Sequence, residues 1–127
     1  DISGIKIFKN TEILYLYFNK LTDVSVIQYL TQLKYLNISS NQIYDISVLK
    51  DLNNLEILDI SSNNQIKDIS VLKDLKNLKF LGINNLELES DQIQYIQSLK
   101  NLKELNCING FKDRTVLNKL NKNIRKI

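Results

Sequence analysis

Histidine, proline, methionine and tryptophan are all missing from this chain of 127 residues, which carries one cysteine and three glycines. Without histidine there is no imidazole to act as a general base, so the commonest acid–base chemistry is excluded. The single thiol, Cys107, rules out an internal disulfide. Gly4, Gly82 and Gly110 stand too far apart to build a phosphate-cradling loop. No uninterrupted apolar run approaches a membrane span, so membrane insertion is not expected. Charge of one sign is scarce as well: the net charge is +3, and the lysines alternate with Asp and Glu. That pattern reads as a solvated face, whereas a nucleic-acid partner would want clustered positive charge. The start holds neither an initiator methionine nor an apolar targeting segment. Since the chain opens on Asp1-Ile2-Ser3, half-way through a unit it repeats later, it reads as a fragment whose ends do not reveal a compartment.

What the chain has in quantity is repetition. Residues 33–54, LKYLNISSNQIYDISVLKDLNN, return at 55–77 as LEILDISSNNQIKDISVLKDLKN, with one extra residue in the Asn-Asn-Gln run. Residues 11–32 hold apolar residues at matching places, and 1–10 align with the second half of the unit. Looser copies occupy 78–101 and 102–123, and Ile124 and Ile127 restart the pattern at the positions of Leu33 and Leu36. A period of 22 to 24 residues holding L-x-x-L-x-L-x-x-N is the signature of a leucine-rich repeat. The expected fold is therefore of the α/β class. It is a single curved solenoid over 1–127, with short parallel strands on the concave face and 3-10 or short helices on the convex face.

Period-two alternation around the last two leucines of the motif places strands near 13–16, 35–38, 57–60, 80–83 and 104–107. Leu14 and Leu16, Leu36 and Ile38, Leu58 and Ile60, Leu81 and Ile83, and Leu105 and Cys107 then face inward. Cys107 becomes a buried structural thiol. Asn19, Asn41 and one of Asn63 or Asn64 stand at a sharp inward turn. There an amide can pair backbone groups whose burial unpaired would cost ~1–3 kcal/mol each. Leu86 and Gly110 break this ladder. The D-[IV]-S element brings Asp1, Asp23, Asp45, Asp68 and Asp113 into a column. One carboxylate per turn supplies too few oxygens for a cation, so Asp and Ser are expected to accept from backbone N–H groups of the next turn. Ser3, Ser25, Ser47 and Ser70 take the helix-cap position. Residues 91–99, with apolar residues at 93, 96 and 99, predict a fuller α-helix.

The asparagine column and the D-I-S-x-L-x-x-L-x-N-L punctuation of residues 1–77 resemble the internalin-type leucine-rich-repeat proteins of bacteria. In that family Pro usually follows D-I-S; here Gly4, Val26, Val48 and Val71 take its place. The resemblance implies a recognition module from a secreted or surface-attached bacterial protein that engages a host or neighbour molecule. A second relative with a similar 22-residue unit is the leucine-rich-repeat regulator of a eukaryotic protein phosphatase. It implies an intracellular, cytoplasmic scaffold instead. A third reading makes the segment the recognition part of a larger enzyme.

Within the segment itself no catalysis and no cofactor is expected. Glu87, Glu89 and Asp91 crowd one loop, which a charged surface turn explains better than paired acid–base carboxylates. Function is expected on the outward positions of the strands. The first column holds Ile13, Tyr35, Ile57, Phe80 and Glu104; the second holds Tyr15, Asn37, Asp59, Gly82 and Asn106. The third is Tyr17, Ser39, Ser61, Asn84 and Ile108. Phe18, Ser40, Ser62, Asn85 and Asn109, partly turning inward, make the fourth. Tyr and Phe on such a face are what protein-binding sites use as anchors. The expected partner is a protein held by Ile13, Tyr15, Tyr17, Phe18, Tyr35, Asn37, Ile57, Asp59 and Phe80. The strand at 13–16 would be the sheet's first, which predicts an upstream repeat or cap, or else self-association through that edge.

Overall fold

The computed structural model of the chain describes residues 1–127, the side chain of Lys6 excepted. Alternating residues in each repeat settle into a three-residue strand. The strands are β1 (Ile13–Tyr15), β2 (Tyr35–Asn37), β3 (Ile57–Asp59), β4 (Phe80–Gly82) and β5 (Glu104–Asn106), followed by the two-residue β6 (Arg125–Lys126). All six lie parallel in one open sheet, in chain order. Between strands the chain crosses the opposite side in 3-10 turns at Ser3–Ile7, Ser25–Tyr29, Ser47–Asp51, Ser70–Asp74 and Arg114–Lys119. The fourth repeat, the longest, instead runs a 3-10 turn at Ser90–Gln92 into the helix α1 (Ile93–Gln97).

The core is the space between sheet and turns. Inward strand residues Leu36, Ile38, Leu58, Ile60, Leu81 and Ile83 are fully buried against Ile46, Leu49, Leu52, Ile69, Leu72 and Leu75 from the turns. Removing that much apolar surface from water is the main favourable term, at about 25 cal/mol per Å². Each repeat covers the next, so Leu14 and Leu16 of the first strand are only partly buried.

Of the two candidates Asn63 and Asn64, Asn63 enters the core and Asn64 stays exposed, so the extra residue is accommodated outward. Asn63 donates to the carbonyls of Ile38 and Ile60 (3.0 Å each) and accepts from the N–H of Ile43 (3.0 Å). Asn41 does the same one repeat earlier, donating to Leu16 and Ile38 and accepting from Leu21. Where Leu86 ends the ladder, the N–H of Ile66 turns to the carbonyl of Asn63 in its own repeat (2.9 Å). Further on, Leu88 pairs with Phe111 in an isolated parallel bridge, while Lys67 Nζ donates to the Leu86 carbonyl (2.9 Å) and Asn84 Oδ1 accepts the N–H of Ile108.

Two local expectations are corrected. The serines of D-I-S are not caps: they begin the 3-10 turns, and the preceding aspartate's Oδ1 accepts their N–H groups at 2.7–2.8 Å. An aspartate two residues upstream reaches that N–H in an Asx turn, a shorter path than the serine hydroxyl has to its own turn. The end of the chain also differs. Ile124 is buried, but β6 pairs Lys126 with Leu105, one residue short of the expected Ile127, which is 48% exposed. The strand begins directly after Ile124, whereas Lys103 intervenes between Leu102 and β5, so the last unit slips by one position and its side chains change face.

Candidate functional site

The strand register sets the outward columns side by side. Ile13 pairs with Tyr35, Tyr35 with Ile57, Ile57 with Phe80 and Phe80 with Glu104. Tyr15, Asn37, Asp59, Gly82 and Asn106 pair in the same way. The extra residues of the longer repeats fall outside the strands, so a two-residue side-chain period keeps one face outward from β1 to β5.

At the β1 end the two columns merge into one aromatic cluster. The ring centroids of Tyr15 and Tyr35 lie 4.9 Å apart across the strand pair, Tyr15 meets Tyr17 edge-on at 6.2 Å, and Tyr17 meets Phe18 at 5.8 Å. These are the separations at which aromatic pairs attract. Ile13, Tyr15, Tyr17 and Phe18 are 58%, 55%, 47% and 80% exposed, so the cluster faces solvent. Tyr35 is half-buried; burial pushes its hydroxyl above the usual tyrosine value, and Tyr15 and Asp59 push the same way.

Phe18 corrects an expectation: its side chain does not turn inward, although Ser40 and Ser62 of its column are half-buried. Phe18, Ser40, Ser62, Asn85 and Asn109 all hold the left-handed backbone, φ 52 to 59°. A bulky side chain is out of place there, yet in the first repeat a phenylalanine occupies the site and projects into solvent beside Tyr17. Ile57, beside Tyr35, and Phe80 beyond it continue the first column as half-buried side chains. Asn37 folds back on its own turn, its Oδ1 accepting from both the N–H and the hydroxyl of Ser39. Asp59 makes the matching bond to the N–H of Ser61 at 3.0 Å. Gly82 makes room for it, since a Cβ at 82 would lie 2.4 Å from Asp59 Oδ1 and the carboxylate would have to shift.

Ion pairs border the face: Glu12–Lys34 (3.2 Å), Glu56–Lys79 (2.7 Å) and Glu104–Arg125 (2.7 Å). The neighbouring lysine holds Glu56 below the ordinary glutamate range. Exposed pairs of this kind contribute little stability, about 0–1 kcal/mol, but they fix the charge along that border. Cys107 is buried, and burial pushes its thiol above the usual cysteine value. Among the described residues no group of His, Cys, Asp and Glu has the makings of a metal site, and no helix is long and apolar enough to cross a membrane.

Sequence reasoning missed two sets of polar residues. Ser61 is buried and its hydroxyl accepts the N–H of Asn84 (3.0 Å), whose Oδ1 in turn accepts the N–H of Ile108 (2.7 Å). A second asparagine ladder runs outside the core. Asn54, Asn77 and Asn101 each donate to a carbonyl of the preceding repeat, at Thr31, Asn53 and Lys76. The L-x-N-L punctuation was its visible signal.

Residues 9–51 and 31–74 match the family described as leucine-rich repeats, in two copies. An internalin (InlF) of Listeria monocytogenes aligns with 99% of the chain at 35% identity and a TM-score of 0.89, over 37% of its own length. Internalin C2 of the same species aligns with 98% at 29% identity and a TM-score of 0.82, over 54% of its length. A leucine-rich-repeat protein of Leptospira interrogans aligns with 97% at 25% identity and a TM-score of 0.66, over 38% of its length. The chain thus spans roughly a third to a half of the proteins it resembles. No curated protein matches it.

Proposed function

From the premise that the chain belongs to the leucine-rich-repeat family, with repeats of the internalin type, we propose that it is a non-enzymatic module that binds another protein on its concave face. The observation that carries this reading is the solvent-exposed cluster of Tyr15, Tyr17, Phe18 and Tyr35, continued by Ile13. Contiguous aromatic surface rimmed by polar groups is what interface hot spots are made of. A solenoid held by its own core has no folding need for tyrosines there. Ile57, Phe80, Asn37 and Asp59 extend the contact along the sheet. By the same kinship, the parent is a secreted or surface-attached bacterial protein, and its ligand a host or neighbouring molecule.

The test is capture of surface proteins extracted from host cells by the immobilised chain. Replacing Tyr15, Tyr17 and Tyr35 together by Ser is expected to abolish capture with the circular-dichroism spectrum unchanged. Replacing Lys50, Lys73 and Asp74, exposed on the turn side, is expected to leave capture intact. Affinity carried by the turn-side set instead would end the concave-face reading.

A further inference from the structure

Columns two to four of the concave face, from Tyr15 to Asn109, contain a single ionised side chain, Asp59. Its charge is surplus to the fold. The structural task at this position is to accept the N–H two residues on, which Asp59 does for Ser61 through Oδ1. Asn37, its register partner on β2, does the same for Ser39 at the same 3.0 Å with a neutral side chain. Among the described residues Oδ2 of Asp59 has no hydrogen-bond partner. Lys34 and Lys79, which border the face, are taken by Glu12 and Glu56. Gly82 pairs with Asp59 on the other side and has no side chain, so the Asp59 carboxylate takes the place that a Cβ at 82 would fill. Tyr35 stands diagonally across, close enough for the Asp59 charge to act on its hydroxyl, and Tyr15 packs behind it.

A half-buried carboxylate with one free oxygen, no cation of its own and aromatic faces alongside has one complementary chemistry. We infer that Asp59 receives the guanidinium of an arginine on the protein partner, with the ring of Tyr35 against its planar face. A guanidinium donates in plane to carboxylate oxygen and stacks on aromatic rings, two contacts that a lysine ammonium does not match together. This rests on the protein-binding reading and names the partner side chain that reading leaves open.

The experiment titrates the 127-residue chain with acetyl-Gly-Arg-Gly-amide and with the same peptide carrying lysine, or citrulline, the neutral isostere, in place of arginine. Amide shifts of Asp59 and Ser61 and ring shifts of Tyr35 are followed by NMR. The arginine peptide is expected to perturb these signals and to bind more tightly than the citrulline peptide by up to about fivefold, the weight of an exposed charge pair. The lysine peptide should fall between them. Asp59→Asn retains the turn bond, as Asn37 demonstrates, and should erase the preference for arginine over citrulline. No preference in the wild-type chain, a preference surviving in Asp59→Asn, or shifts confined to other parts of the sheet would each overturn the assignment. The two readings fail separately. If the triple tyrosine variant loses its protein partner while Asp59→Asn keeps both partner and preference, only the arginine site falls. If the tyrosine variant keeps its partner, the binding-face reading falls whatever the peptides do.

Discussion

Asn63 and Asn64 are neighbours of one residue type, yet one is fully buried with its amide bonded into two repeats and the other lies in solvent. The sequence left the choice between them open, because an inserted residue shifts the phase by one and only packing decides which asparagine enters. Asn63→Ala should cost about 1–3 kcal/mol by stranding the Ile43 N–H and the Ile60 carbonyl, while the Ile38 carbonyl keeps its bond from Asn41. Asn64→Ala and Asn53→Ala, at exposed positions, should cost under about 0.5 kcal/mol each. Urea melts giving Asn63 and Asn64 equal effects would contradict the ladder. The aspartates of the Asx turns make a second prediction. The Ser25 and Ser70 N–H groups hold Asp23 and Asp68 below the ordinary aspartate value, and the Thr115 hydroxyl and N–H do so for Asp113. In acid the unfolded chain therefore takes up these protons before the folded one does. Their contribution is complete above the ordinary aspartate value and fades as the pH falls through the depressed folded values. As the pH falls from the ordinary aspartate value through the depressed folded values, urea midpoints should drop less steeply for the variant carrying Asn at 23, 68 and 113, whose amides keep the turn but do not titrate. An unchanged slope would mean that other carboxylates carry the acid sensitivity.

At the scale of elements, the strands were legible because alternation marks each one within its repeat, and β1 to β5 fall within the expected spans. The turns were less so. Serine and aspartate both serve as cap signals in D-I-S, and which one bonds depends on where the 3-10 turn begins, a matter of one residue that composition does not encode. The slip at β6 was illegible for a similar reason: the apolar spacing of Ile124 and Ile127 fits the motif, but the strand starts one residue early. Gly82 looked like a gap in the second column and proves to be a packing partner of β3. Gly82→Ala should push the Asp59 carboxylate off the Ser61 N–H and lower stability by about 1 kcal/mol, the net worth of a hydrogen bond. In an Asp59→Ala background that cost should largely disappear, because the two residues act on one contact. A double-mutant cycle closing with additive effects would show that the methyl group at 82 strains something other than Asp59.

For the whole molecule, the face itself could be read from the repeat, since each outward column is a row of residues one period apart. Its clustering could not be read so directly. Tyr15 and Tyr35 sit in different columns and meet only through the diagonal offset between adjacent strands, and the exposure of Phe18 depends on a backbone conformation that its residue type does not announce. The solenoid also sets how stability is spread. Each repeat is buried by its neighbours alone, so protection against unfolding follows position along the axis rather than distance from one centre. Leu36, Leu58 and Leu81 are fully buried, whereas Leu14 and Leu16 are only partly so and Ile127 is 48% exposed. The buried asparagines Asn41 and Asn63 bind the first three repeats to one another, while the repeats around Leu86 and Gly110 rely on the Leu88–Phe111 bridge and on bonds made by the side chains of Lys67 and Asn84. Native-state hydrogen exchange on this polypeptide should therefore find the slowest amides in β3 and its ladder partners. Amides of β2 and β4 should follow, and those of β1 and β6 should exchange fastest among the strands. Asn63→Ala should accelerate exchange in β2 and β3 more than in β5, since the bonds it removes reach Ile38 and Ile43 but no residue beyond Leu86. Equal protection across all six strands, or an Asn63→Ala effect spread evenly over them, would mean that the repeats melt as one unit and that nearest-neighbour burial does not govern their stability.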